Sequence, residues 1–238
     1  MRAVVVGDGK MGREIQAALV RRSHSILGML GPADTFEGVD PATVEVALEF
    51  TEPHVARGNC EALLSLGVPV VCGTTGWDPE PTRWLARERR VGFLHAPNFS
   101  VGVAAARRAA AAAARVLAPF REFEPGILER HHAAKKDSPS GTAKLLAATV
   151  REASGRQDEV PVVALRQGGQ PGEHLVFFEG GDETVEVVHR ARSRALFAAG
   201  AVAAAEWLVR TSGAGTAGPV TFDDFLDAIA TAAERSGR

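Results

Sequence analysis

Two apolar rhythms run along this chain. Residues 3–6 form a short β-branched run, which predicts a buried strand. A Gly7-Asp8-Gly9-Lys10-Met11-Gly12 turn follows, and then Ile15, Ala18 and Leu19 recur at helical spacing before Arg21 and Arg22. Strand patterns return at 25–30, 44–50, 68–72 and 91–95, with helical patterns at 54–66 and 81–90. Strands alternating with helices predict a doubly wound parallel sheet. The rhythm changes after Pro97. One Ala-rich helix is predicted at 101–118, and strands then cluster at 124–131, 160–166, 173–179 and 184–191 around a single helix at 142–153. Strands in succession predict an antiparallel or mixed sheet. A helix at 195–209, a Gly/Ala/Thr loop at 211–218 and a terminal helix from Phe222, capped by Thr221, close the chain. The fold class is therefore α/β, with an N-terminal Rossmann-like sheet, a smaller α+β domain and a boundary near residue 100.

Composition narrows the function classes. The chain has 238 residues, with 27 Lys+Arg against 29 Asp+Glu and a net charge of −2. This lacks the basic excess of a general nucleic-acid binder. Charged residues at 24% and hydrophobic ones at 45% suit a globular chain with a sizeable core. Cys60 and Cys72 form no CxxC pair. They read as small buried residues in a reducing cytoplasm, and no metal site is expected from them. The long apolar stretch at 101–118 contains Arg107, Arg108 and Arg115, so no membrane span is expected, and the N-terminus lacks a signal-peptide pattern.

Two stretches carry candidate chemistry. Gly7-x-Gly9-x-x-Gly12 lies between the first strand and first helix, where backbone N–H groups and the helix N-terminus can meet a pyrophosphate. The ribose signal is missing: 27–32 holds no carboxylate and no arginine. Lys10 either faces a 2′-phosphate or is a solvated turn lysine, so NADH and NADPH both remain open. The second stretch is His131-His132-Ala133-Ala134-Lys135-Lys136-Asp137-Ser138-Pro139-Ser140-Gly141-Thr142-Ala143. It runs from a strand end to a helix start that Ser140 or Thr142 can cap. From Glu129 to Lys136 the local charge is +2 before either histidine titrates. Such a loop suits a small anionic substrate and supplies proton donors near neutral pH, although a solvated basic loop has the same composition.

The thirteen-residue stretch resembles the HHxxKxDxPSGTA signature of the dihydrodipicolinate (4-hydroxy-tetrahydrodipicolinate) reductase family, and all its fixed positions match. In the same order the chain carries Gly9-Lys10-Met11-Gly12, Phe50-Thr51-Glu52-Pro53, Gly73-Thr74-Thr75-Gly76 and Ala96-Pro97-Asn98-Phe99-Ser100-Val101-Gly102. Gly172-Glu173-His174 and His189-x-Ala191-x-Ser193-Arg194 follow. The resemblance spans nearly the whole chain. It implies NADH- or NADPH-dependent reduction of a small cyclic dicarboxylate, 4-hydroxy-tetrahydrodipicolinate, with loss of water, in lysine and diaminopimelate biosynthesis. It implies proton transfer by His131 and Lys135, substrate contact by His132, and a substrate carboxylate at Gly141 and Thr142. The cofactor would lie along Gly7, Asp8, Gly9, Lys10, Met11 and Gly12, along Gly73, Thr74 and Thr75, and along Ala96, Pro97, Asn98 and Phe99. Residues 1–100, completed by the C-terminal helices at 192–238, would bind the dinucleotide. Residues 101–191 would bind substrate and assemble a homotetramer, and the two domains would close around the reacting pair.

This chain departs from the family in a Gly-rich loop one residue shorter than GxxGxMG, a short 31–43 stretch without the usual cofactor-selecting residues, and a compact 157–172 region. Trp77 is either a cover for the cofactor or a half-buried loop aromatic. Arg192 and Arg194 read as surface arginines, and His174 and His189 as strand residues without a catalytic role. Two rivals are an aspartate-type amino-acid dehydrogenase and a non-catalytic NAD(P)H-binding sensor.

Overall fold

A computed structural model of the chain describes residues 1–32, 34–212 and 218–235. The elements run β1 (Arg2–Val6), α1 (Lys10–Arg21), β2 (Ser25–Leu30), β3 (Val46–Glu49), α2 (Pro53–Ser65), β4 (Val70–Cys72), α3 (Glu80–Arg89), β5 (Phe93–His95) and α4 (Val101–Leu117). Then come β6 (Glu124–His131), α5 (Gly141–Ser154), β7 (Val162–Arg166), β8 (Gly172–Glu179), β9 (Thr184–Ala191), α6 (Ala195–Ser212), β10 (Pro219–Val220) and α7 (Phe222–Arg235). The chain divides into two compact units, Met1–Phe99 with Ala195–Arg238, and Ser100–Arg194.

The first unit is a six-stranded sheet in the order β10-β5-β4-β3-β1-β2. Every pairing in it is parallel. Its central strands are apolar on both faces because helices cover both, and Val4, Val6, Ala47, Val70, Cys72 and Phe93 pack with α2 residues Cys60, Leu63 and Leu64. The C-terminal helix α6 belongs to this unit. Glu206 on α6 takes Arg22 Nε and Nη2 at 2.7 and 2.6 Å, and His24 Nε2 lies 2.7 Å away, which ties α6 to the end of α1. Strand β10 lies between the expected 211–218 loop and the terminal helix, at two positions for which the sequence pattern predicts no element. It has two residues, too few to show a period, and residues 213–217 of that expected loop lie outside the described residues.

The second unit is a four-stranded sheet, β7-β6-β8-β9. β6 and β7 are parallel, while β6–β8 and β8–β9 are antiparallel, so the sheet is mixed. One face carries Ile127, Val176 and Phe178 against Ala110 and Ala114 of α4 and Leu146 and Val150 of α5. Alanines on α4 let that helix approach closely. Strands β3, β4, β5 and β7 each start two residues later than their apolar patterns suggest, and prolines account for two of these. β4 begins after Pro69 and β7 after Pro161, where the missing N–H removes a donor from the ladder.

Candidate active site

The first unit holds a cavity at the carboxyl ends of its strands. The order β2-β1-β3 reverses direction between β1 and β3, and open α/β sheets bind ligands outside such a switch point. The cavity is about 660 Å³ and is lined from the turns after β1, β2, β3 and β4. Gly7, Asp8, Gly9, Lys10, Met11, Gly73, Thr74 and Thr75 all line it. Gly12 stands behind, buried, where a Cβ would meet the Gly7 carbonyl oxygen at 1.8 Å. Gly7 itself has φ +111°, a conformation that favours glycine. Helix α1 starts after Gly9 with no side chain capping it and no acidic residue in its first turn. Its N-terminal amides and positive dipole end are therefore presented to the cavity, as a bound pyrophosphate requires.

The Ala96–Phe99 turn is placed differently. None of its four residues lines this cavity. Ala96 donates its N–H to Cys72 O at 3.2 Å, beside the Gly73–Thr75 turn. Phe99 is buried, with its ring 5.8 Å from Phe50 and 5.2 Å from Phe222. Trp77 is half-buried, donating Nε1–H to Thr74 O at 2.8 Å and packing edge-on to His95. It does not line the cavity.

Two residues that the sequence pattern did not single out organise this region. Glu49, at the end of β3, is fully buried. Its carboxylate accepts from Thr74 Oγ1 at 2.8 Å, from Cys72 Sγ at 3.1 Å, and from Thr51 Oγ1 and Asn59 Nδ2. Thr74 Oγ1 also accepts from Thr51 N at 2.8 Å, so one carboxylate joins the turns after β3 and β4. A hydrogen bond with Cys60, together with burial, pushes the Cys72 thiol up and keeps it a protonated donor. Asp34 is the second residue. It lines the cavity and accepts the Gly31 N–H at 2.7 Å. It lies just past the 27–32 stretch at the end of β2, and the turn after β2 folds it back toward Gly31.

The second unit gathers its polar groups at the end of β6. Glu129 and His131 are two residues apart on this strand, so they share a face. Parallel pairing sets Arg166 of β7 opposite His131, and antiparallel pairing sets His174 of β8 opposite Glu129. Glu129 is fully buried, a placement that costs several kcal/mol for a lone carboxylate. Its Oε1 accepts from Ser140 N at 2.8 Å and from Arg166 Nη2 at 2.7 Å. Burial raises the Glu129 carboxyl, but these bonds more than offset it and hold the group below the ordinary range. Oε2 lies 3.3 Å from His131 Nδ1 and 3.7 Å from His174 Nε2. Burial pushes both histidines down, His174 to about 4, so His174 stays neutral near pH 7. Glu129, His131 and His174 are close enough together for a metal, but Arg166 already pairs the carboxylate and Lys135 adds a second nearby cation. The donor set does not suit a divalent ion.

The loop between β6 and α5 carries the remaining residues. Ser140 caps α5 by accepting Ala143 N–H at 3.2 Å, and its Oγ lies 3.3 Å from His174 Nε2. Gly141 and Thr142 form the first turn of α5. The Lys135 ammonium is 2.7 Å from Asp137 Oδ1, and together with the Gly141 amide it holds Asp137 below the usual carboxylate range. His132 is half-buried and Lys136 exposed. His189 pairs with His174 across β8 and β9, with rings 6.2 Å apart, whereas Arg192 and Arg194 are exposed. Two-residue strand spacing would have found Glu129 from the sequence. Only strand order brings in Arg166 and His174.

Comparison with known proteins agrees along the chain. A family model described as "Dihydrodipicolinate reductase, N-terminus" matches residues 33–99, and one described as "Dihydrodipicolinate reductase, C-terminus" matches residues 102–226. A 4-hydroxy-tetrahydrodipicolinate reductase from Myxococcus xanthus is 37% identical over 229 residues, covering 86% of this chain and 82% of the relative. One from Archaeoglobus fulgidus is 37% identical over 209 residues, covering 80% and 79%. A solved structure, dipicolinate-bound dihydrodipicolinate reductase from Paenisporosarcina sp. TG-14, superposes with a TM-score of 0.76 at 22% identity, covering 93% of this chain and 97% of that one.

Proposed function

This chain belongs to the dihydrodipicolinate reductase family, and from that premise we infer that it reduces 4-hydroxy-tetrahydrodipicolinate, with loss of water, in lysine and diaminopimelate biosynthesis. It is an NAD(P)H-dependent oxidoreductase. In this reading residues 1–99 and 195–238 bind the dinucleotide, and residues 100–194 bind substrate.

The observation that carries the reading is the second unit's loop, where His131 and Lys135 stand beside the start of α5. When bound, reduced nicotinamide supplies a hydride to a ring carbon, and a proton must reach a neighbouring atom. Lys135 or His131 delivers that proton, and the cationic loop attracts the dianion. A substrate carboxylate at Gly141 and Thr142 would compete with Asp137 for the same donors, with His132 as a further contact. In the first unit the uncapped start of α1 and the Gly7–Met11 turn would hold the pyrophosphate, with Gly12 allowing the close turn. Gly73–Thr75 would line the nicotinamide side, with the Ala96–Phe99 turn beside it.

Asp34 favours NADH. A Cβ on Gly31 would lie 3.5 Å from an Asp8 oxygen and 3.6 Å from an Asp34 oxygen, so two carboxylates surround the turn after β2. Such a corner accepts ribose hydroxyls and repels a 2′-phosphate. A homotetramer is supported by the open face of the second sheet. Val163, Leu128, Leu175 and Val188 are register partners across all four strands, and Val163 and Val188 are 62% and 38% exposed. Among the described residues no helix is long and apolar enough to cross a membrane. The two free, buried cysteines suit a reducing cytoplasm.

The test is dinucleotide oxidation by the purified protein. Turnover on enzymatically generated 4-hydroxy-tetrahydrodipicolinate, and none with oxaloacetate plus ammonia, is expected. The opposite pattern would favour an aspartate-type dehydrogenase, and binding without turnover a sensor.

A further inference from the structure

We propose that Glu129 is the positioning residue of the second unit's site, orienting His131 through Nδ1 and holding the Lys135 loop through Arg166. The proposal rests on the reading of His131 and Lys135 as the proton-transfer residues.

The geometry separates the two oxygens of the carboxylate. Oε1 is committed to structure, accepting from Ser140 N at 2.8 Å and Arg166 Nη2 at 2.7 Å. Oε2 is buried without a hydrogen-bond partner, and so is His131 Nδ1, only 3.3 Å away. Two facing buried orphans call for an explanation. At 3.3 Å the two atoms are in contact but do not form a hydrogen bond as placed, and a small rotation of the imidazole that aims an Nδ1 proton at Oε2 would satisfy both. That arrangement fixes the ring's tautomer and leaves Nε2 as the exchanging nitrogen, as a carboxylate does when it orients a histidine in other enzymes. Nε2 lies toward Gly172, where a Cβ would come within 2.9 Å of it, so the glycine gives that nitrogen its clearance. His131 also borders a cavity of about 330 Å³ lined by Gln167 and Gln170.

The second connection runs through Arg166. Its Nη2 donates to Glu129 Oε1 and also to Asp137 O at 2.7 Å, and the Asp137 side chain pairs with Lys135. One buried carboxylate thus touches the histidine directly and the lysine through two links. The charged and titratable groups around His131 are Glu129 on its own strand, Arg166 on β7, His174 on β8, and Lys135 and Asp137 on the loop. Burial, Lys135 and Arg166 all push the imidazole down, while Glu129 and Asp137 pull it up. Of these two anions, Glu129 is the buried one, so its field is the less screened.

Glu129→Gln keeps the shape and removes the charge. The expected result is a lower titration midpoint for His131 in imidazole NMR than in the wild type. The kcat should fall on the order of 10- to 100-fold with KM changed much less. The limb of the kcat profile that follows His131 should move to lower pH, and NADH affinity should be unchanged. Glu129→Asp should recover part of each effect. A folded Glu129→Gln protein with an unshifted His131 midpoint, or with wild-type kcat, overturns the proposal. If Glu129→Gln does not fold, the wild-type ¹⁵N shifts decide: a neutral His131 protonated on Nδ1 supports it, and one protonated on Nε2 overturns it. A wild-type protein that reduces no substrate would remove the functional reading, while the His131 shift would still decide the role of Glu129.

Discussion

Gly12→Ala should damage both the fold and dinucleotide binding, whereas Gly9→Ala should damage binding alone. A Cβ on Gly12 would sit 1.8 Å from the Gly7 carbonyl oxygen and 2.8 Å from its carbon, both backbone atoms. Reaching even 3.0 Å means opening the β1–α1 turn by about 1.2 Å. Overpacking of this kind typically costs about 1–3 kcal/mol. In a chain of this size each kcal/mol moves Tm by roughly 2–4 °C, so a drop of about 2–12 °C is expected. Dinucleotide affinity should fall at least about tenfold, equivalent to about 1.4 kcal/mol, because the amides at the start of α1 are displaced. Gly9 differs: a Cβ there meets nothing within 4 Å, and its φ of −72° is open to any residue. Gly9→Ala should keep the wild-type Tm yet weaken NADH binding about tenfold, since the methyl group occupies the space a pyrophosphate approaches. Differential scanning fluorimetry and a fluorescence titration with NADH read the two effects separately. Wild-type NADH affinity in Gly9→Ala would refute the placement of the pyrophosphate. Wild-type Tm in Gly12→Ala would refute the packing of this turn.

Lys135→Ala should lower kcat by roughly 10²–10⁴-fold in steady-state assays and leave NADH affinity unchanged, as expected for a lost proton donor in the other unit. Asp34→Asn should raise kcat/KM for NADPH relative to NADH, and an unchanged ratio would remove Asp34 from cofactor selection. Stability should fall on acidification in two windows. His174 has its pKa lowered from 6.5 to about 4, so the unfolded chain binds the extra proton first. Between those pH values this shift removes about 3 kcal/mol, and His174→Asn should flatten that part of the Tm-versus-pH curve. Below about pH 4.5 the stability contributed by Glu129 and Glu206, whose folded carboxyls are held low, is lost as each protonates, giving a second fall in Tm.

Much of the architecture was legible because the local and global signals agree. Residues 124–131 and 184–191 read as strands, and β6 and β9 form there with those bounds. The turn glycines and the Ser140 cap were legible for the same reason, since each solves a backbone problem a few residues long. What escaped was longer in range. Glu129 and Arg166 are 37 residues apart and meet only because β7 pairs with β6. Glu49 sits inside an apolar strand and reads as an interruption until four donors surround it. Asp34 was hidden by a turn whose direction depends on its own bond to Gly31. The Ala96–Phe99 turn is legible only through family resemblance, and Ala96 and Phe99 are buried in the first unit.

The most direct measurement uses NADH carrying deuterium at the transferable position, with enzymatically generated 4-hydroxy-tetrahydrodipicolinate and mass analysis of the product. The account predicts tetrahydrodipicolinate carrying one deuterium, formed by the wild type and lost in proportion to kcat in Lys135→Ala. Unlabelled product, or no product from a protein that binds NADH, would contradict it.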